Sequence, residues 1–172
     1  MAGVVWVTGL SAAGKTTTAR EICHRLQPEH AVVHLDGDDL RRLFGDNHDF
    51  SRSGRIALGK QYFDLAHHLE SQGLLVVVSA IALFREVNEY AETTVDRLVT
   101  ILLDLPISVL RERDPRGLYR AFDDGRMTSV AGLDLAVDWP QAPNLRISSP
   151  EATPAEVALH AVDTIRVAGL IS

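Results

Sequence analysis

The sequence predicts an α/β fold: a parallel five-stranded sheet with helices on both faces. Two observations carry this reading. Short apolar runs of strand length alternate along the chain with longer stretches of helical period. The short runs are continuously apolar rather than alternately apolar and polar, as strands covered on both faces must be. At 172 residues the chain fits one domain, and a chain of that size buries roughly 70% of its unfolded surface without a disulfide or metal staple.

Residues 4–8 are a β-branched run that stops at Gly9, so they read as a buried strand; residues 16–26 follow as a helix ended near Pro28. Residues 31–35 form a second strand that runs into Asp36-Gly37-Asp38-Asp39. Residues 56–69 carry Tyr62, Phe63, Ala66 and Leu69 at helical spacing, and Gly73 closes that helix. Residues 74–78, the most hydrophobic run, predict a central strand. A helix over 84–98, a strand over 99–103, a short helix over 107–113 and a last strand over 145–147 complete the alternation. Thr153-Pro154-Ala155-Glu156 begins the final helix as a capping box with proline at its first position. Residues 114–143 break the pattern: rich in glycine, charge and proline, and long for a connection, they predict a lid or binding segment. With no repeat or linker, residues 1–172 read as a single domain.

Composition narrows the partners. A net charge of −6 argues against nucleic acid or an anionic membrane surface. Two arginine clusters (Arg41, Arg42, Arg52, Arg55 and Arg111, Arg113, Arg116, Arg120) suit a small anionic ligand, with solvated helix faces as the plainer alternative. Cys23 is the one cysteine, so no internal disulfide forms and the residue reads as packing in a reducing compartment. No apolar run reaches the ~18 residues of a membrane span, and no charged leader precedes the first strand. The expected location is cytoplasmic.

Chemistry enters at Gly9-Leu10-Ser11-Ala12-Ala13-Gly14-Lys15-Thr16, which matches G-x-x-x-x-G-K-[ST]. Glycines let successive backbone N–H groups turn inward onto phosphate oxygens, and the following helix adds unpaired amides and a positive dipole end. Lys15 would reach the β- and γ-phosphates, Thr16 would hold Mg²⁺, and Ser11, Ala12, Ala13, Gly14 and Thr17 complete the ATP-binding set. The motif sits between an expected strand and an expected helix, as its mechanism requires, and Lys15 is one of only two lysines. No guanine-reading N-K-x-D segment is present. The fold class is therefore a three-layer P-loop kinase with a lid, and the chemistry is that of an ATP-dependent small-molecule kinase.

Asp36 and Asp38 fall at the C-terminal end of the second strand, the edge where open α/β sheets bind ligands. A carboxylate there orders Mg²⁺ or accepts the proton of an attacking hydroxyl. Spacing does not divide these roles, and Asp39 is expected to cap the next helix.

The chain resembles the adenylylsulfate kinase family. The matching segments are the phosphate loop, Leu35-Asp36-Gly37-Asp38 with Arg41, and Phe50-Ser51-Arg52 with Arg55. Arg113-Asp114-Pro115-Arg116-Gly117-Leu118-Tyr119, Gly132-Leu133-Asp134 and Pro140 continue the match. The resemblance implies a lid over about residues 113–132, ATP with Mg²⁺, a possible homodimer, and phosphorylation of a ribose hydroxyl on a small anionic nucleotide-linked acid. By position, Arg41 and Arg55 would bind the acceptor's acid group and Phe50 would stack on its base. Ile81 and Val130 would line the acceptor site, with Arg113 and Arg116 in the lid, Arg113 on the ATP side. Arg85 matches a family arginine, with a surface ion pair as its alternative.

The departures fall on the acceptor side. Leu58 stands where the family has an asparagine, Val130 replaces the second stacking aromatic, Ala131 replaces a threonine, and Ala80-Ile81-Ala82-Leu83 replaces Phe-Ile-Ser-Pro. Losing one stacking face costs ~1–3 kcal/mol per base. Two acceptors therefore stand side by side: adenylylsulfate, the family's usual substrate, and a cytidine diphosphate-linked phosphoramidate, which a short branch of the family uses. A nucleotide-binding module without turnover is the reading of another class, which Lys15, Thr16 and both aspartates oppose.

Overall fold

The computed structural model describes residues 2–44 and 49–172. Its strands are β1 (Gly3–Gly9), β2 (Val32–Asp36), β3 (Leu75–Ser79), β4 (Leu98–Leu103) and β5 (Leu145–Ile147). Its helices are α1 (Lys15–Leu26), α2 (Gly37–Leu43), α3 (Arg52–Ser71), α4 (Arg85–Thr94), α5 (Ile107–Arg113), α6 (Leu118–Asp123) and α7 (Pro154–Val167). The five strands form one all-parallel sheet in the order β2-β3-β1-β4-β5. Crossovers leave β1 on one side to β2 and β3 and on the other to β4 and β5, so the C-terminal end of β1 is the topological switch point where a ligand cleft opens.

Alternation along β1 explains why its whole run is apolar. Val5 and Val7 face a core completed by Ala19, Ile22 and Leu26 of α1 and by Val157, Ala161 and Ile165 of α7. Val4 and Trp6 face the opposite core, with Tyr62, Phe63 and Ala66 of α3 and Val87 and Ala91 of α4. Trp6 is 1% exposed, meets Phe63 edge-on at 5.2 Å between centroids, and donates its indole N–H to the Ala80 carbonyl at 3.3 Å. Cys23 is packing, as expected: it is buried, and burial pushes its thiol up to about 11. The capping box at Thr153 and Glu156 forms in both directions.

Beyond shifts of a residue or two at element ends, the structure departs from the sequence reading in four places, each for a local reason. The helix after β2 is capped by Asp36, whose carboxylate accepts the Asp38 amide at 3.0 Å, and not by Asp39. Asp36 holds the extended φ/ψ (−88°, 132°) that an N-cap needs, whereas Asp39 already lies in the first turn and pairs with Arg42. Helix α3 starts four residues early because the Ser51 hydroxyl accepts the Gly54 amide at 3.2 Å. Helix α4 ends at Thr94, because Val95 turns extended and Leu98 is already paired with Val4 in the sheet. The lid segment contains α6, a helix its glycine-rich flanks conceal. Among the described residues, no helix is long and apolar enough to cross a membrane.

Candidate active site

The loop joining β1 to α1 has the backbone of a phosphate cradle. A side chain at Gly9 would lie 2.5 Å from the Leu103 carbonyl, so the strand end admits no Cβ there. Ala12 (φ 63°) and Gly14 (φ 94°) take left-handed conformations that curl the chain; for a non-glycine residue such as Ala12 this costs about 1–3 kcal/mol, a strain that concentrates at ligand-binding turns. Gly14 opens α1 without a side-chain cap, and the helix's first turn holds no acidic residue. Its free amides and positive end therefore face an anion site unopposed.

Lys15 folds back over this loop, donating from Nζ to the Leu10 carbonyl at 2.8 Å. Burial pushes its ammonium down to about 8, against the upward pull of Asp38 and Asp36 and with a further push down from Arg116. A triphosphate beside it would restore the charged form. At pH 8, then, ATP binding is expected to take up roughly half a proton, falling to none near pH 6.5. Calorimetry in buffers of different ionisation enthalpy reads this directly; buffer-independent heats at pH 8 would rule out Lys15 as the phosphate partner.

Asp36 is the node beneath the loop. It is 9% exposed, and one oxygen accepts both the Thr16 hydroxyl (2.6 Å) and the Ser79 hydroxyl (2.9 Å) while the other accepts the Asp38 amide. Burial pushes its pKa up, but the hydrogen bonds from Thr16, Ser79 and the Asp38 amide outweigh it and hold the carboxyl below its usual range. It is therefore an anion at neutral pH, tied at once to α1, β3 and α2. Ser79 in turn lies 2.9 Å from His34, whose imidazole burial keeps below its ordinary pKa. Neither Ser79 nor His34 announces itself in the sequence; each is a strand residue whose role appears only when β2 and β3 pair, Asp36 opposite Ser79.

Asp38 sits one step further out, on the exposed side of the cleft, and pairs with Arg116 of the lid. The lid segment is anchored as well as placed. Tyr119 is 1% exposed and donates its hydroxyl to the Ser11 carbonyl of the phosphate loop at 3.0 Å. Gly132 lies so close to Leu10 that an added Cβ would meet it at 2.6 Å. Arg113 donates to the Pro150 carbonyl at 2.8 Å, joining the lid's start to the segment after β5. Thr17 is exposed on the first turn of α1.

On the acceptor side, the Arg41 and Arg55 guanidinium groups lie 4.6 and 5.4 Å from the centroid of Phe50. Phe50 is 40% exposed, an open aromatic face and not a core residue. Arg55 also donates to the Phe50 carbonyl (2.9 Å) and the Ser129 carbonyl (3.0 Å), tying α3 to the late loop. Val130 does not face the opening: it is 3% exposed within the core, its amide held by Asp134. Ile81 is half-buried, its carbonyl accepting the Thr8 hydroxyl at 2.6 Å. Arg52 makes a two-pronged pair with Glu86 (2.7 and 2.9 Å) and reaches Asp138 at 3.2 Å. Arg85 is exposed beside Glu89, a surface ion pair. Tyr62, read in the sequence only as part of a helical apolar face, donates to the Gly37 carbonyl at 3.0 Å and so braces the acidic turn from α3.

The family model described as Adenylylsulphate kinase matches residues 1–148. The chain is 33% identical over 150 residues to an adenylyl-sulfate kinase of Pseudomonas aeruginosa, covering 85% of this chain and 76% of that protein. It is 31% identical over 140 residues to the cytidine diphosphoramidate kinase of Campylobacter jejuni, covering 81% and 82%. Its fold is similar to the Mycobacterium tuberculosis APS kinase CysC in complex with AMPPNP and APS, with a TM-score of 0.87, 31% identity, and coverage of 96% and 98%.

Proposed function

The chain belongs to the adenylylsulphate kinase family, and from that premise we propose how its residues carry out an ATP-dependent phosphoryl transfer to an alcohol. The γ-phosphoryl group leaves ADP and bonds to a ribose hydroxyl oxygen of a nucleotide-linked acid, and the hydroxyl proton passes to Asp38. The observation that carries this reading is the adjacency of an anion-ready loop, an ionised buried Asp36 and an exposed Asp38 at one sheet edge. Gly9, Ser11, Ala12, Ala13, Gly14 and Thr17 frame the triphosphate, and Lys15 neutralises the oxygens that gain charge during transfer. The Thr16 hydroxyl and the Asp36 carboxylate, 2.6 Å apart, are hard oxygen donors that fit Mg²⁺. Mg²⁺ there would offset charge on the β- and γ-phosphate oxygens. Arg113 would steady ATP from the lid, and Arg116, on leaving Asp38 for the phosphates, would free that carboxylate to take the proton.

Arg41, Arg55 and Phe50 supply charge and one stacking face for the acceptor, and half-buried Ile81 would shape its floor, while Val130 stays packed in the core. Adenylylsulfate is the acceptor we assign, and turnover with it is expected in an ADP-release assay. A second reading, a cytidine diphosphate-linked phosphoramidate, is favoured by the burial of Val130, which leaves Phe50 to stack alone. One lost stacking face corresponds to roughly 5- to 150-fold. A rate comparison of the two acceptors separates the readings. A cytidine preference in that range establishes the second, and an equally large adenylylsulfate preference removes Val130 as a specificity change. ATP binding without turnover on either acceptor sinks both.

A further inference from the structure

The far edge of the sheet holds a second cluster that phosphoryl transfer does not use. Glu70, in the last turn of α3, is 5% exposed. Its Oε1 accepts the Arg97 amide at 3.3 Å, but its buried Oε2 has no hydrogen-bond partner among the described residues. The buried Nδ1 of His67 lacks one too, and it lies 3.7 Å from that oxygen, beyond hydrogen-bond reach. A buried carboxylate is disfavoured by desolvation, and at a helix C-terminus it also meets the negative end of the dipole. The neighbouring Arg97 guanidinium does not relieve it, being turned to the Gly169 carbonyl at 3.2 Å. Asp96, exposed in the turn before β4, completes the group: one donor atom each from His67, Glu70 and Asp96 lies within 4.8 Å of the others.

We propose that His67, Glu70 and Asp96 form a structural site for a divalent transition-metal ion of the Zn²⁺ type. One imidazole and two carboxylates are the donor set such borderline ions take, with solvent on the Asp96 side supplying the fourth ligand. Two ligands around a tetrahedral Zn²⁺ stand about 3.4 Å apart, close to the 3.7 Å between His67 and Glu70, and exposed Asp96 is free to close the remainder. The ion would clamp the end of α3 to the start of β4, where the Arg97 carbonyl accepts the Val4 amide at 2.8 Å. This is the opposite end of β1 from the phosphate loop, so the clamp stabilises the fold and takes no part in transfer.

The test is Zn²⁺ titration of the chelator-treated full chain, followed by calorimetry and thermal melting. One Zn²⁺ per chain is expected, with melting raised by roughly 5–10 °C at 100-fold excess over the dissociation constant. Asp96→Asn, at an exposed position, is expected to match the wild-type melting temperature in chelator and to lose at least about 10-fold in Zn²⁺ affinity; His67→Ala is the second variant. An unchanged Zn²⁺ response in Asp96→Asn, or none in the wild type, overturns the site. So does a Zn²⁺ affinity left unchanged in His67→Ala.

Discussion

Lys15→Ala is expected to cut turnover by roughly 10³-fold or more, because Lys15 is the cation that the loop sequence itself carries to meet the charge that builds on the transferring oxygens. The same substitution should leave the fold intact. In the free protein the ammonium is held down to about 8 from 10.5, chiefly by burial, so at neutral pH it is a charge that folding disfavours. The sign follows: between the two values the unfolded chain binds more protons at this group, so Lys15 makes the wild type gain stability as pH rises from about 8. The alanine variant lacks that gain, and its melting temperature at pH 7 should hold or rise. Inactivity with a collapsed melting temperature would mean that Lys15 props the loop and does not serve the reaction; a wild-type rate would remove the site altogether.

Asp38→Asn is the second large effect. The amide keeps the side chain's shape and the Arg116 contact but cannot take a proton, and loss of a general base costs roughly 10²–10⁴ in kcat. ATP affinity should change little, since Asp38 is the outer carboxylate and Asp36 keeps its bonds to Thr16 and Ser79. Measured with saturating acceptor, a kcat within about 3-fold of wild type would move the base role to Asp36. A fall confined to ATP binding would instead make Asp38 a donor-side residue.

Much of this arrangement could be read from residue order, and the exceptions share a cause. The phosphate loop is legible because its chemistry is contiguous: eight consecutive residues fix backbone turn, charge and helix start. The inner strands are legible because covering both faces forces apolar runs, as in β1 and β3. The cap on α2 was not, because Asp36, Asp38 and Asp39 are equally good capping residues by type, and only the extended φ/ψ at the strand end selects Asp36. Ser79 and Tyr62 escaped for the complementary reason: their partners lie 43 and 25 residues away, and no local pattern encodes a meeting. Val130 and Arg52 show the limit of positional analogy. Correspondence places Val130 at the acceptor cleft, whereas packing buries it; Arg52, grouped by sequence with an anion-binding arginine cluster, is instead occupied by ion pairs.

The contrast between the two halves of the cleft bears on how such an enzyme diversifies. The donor half is a single stretch of chain knotted to Asp36, so most replacements there strike several contacts together. The acceptor half is gathered from separate pieces of chain: α2, the approach to α3, α3 itself and the loop at Ser129. A lineage can therefore revise its clientele residue by residue while inheriting its power source unchanged, and new acceptors can arise without passing through a form that has lost ATP.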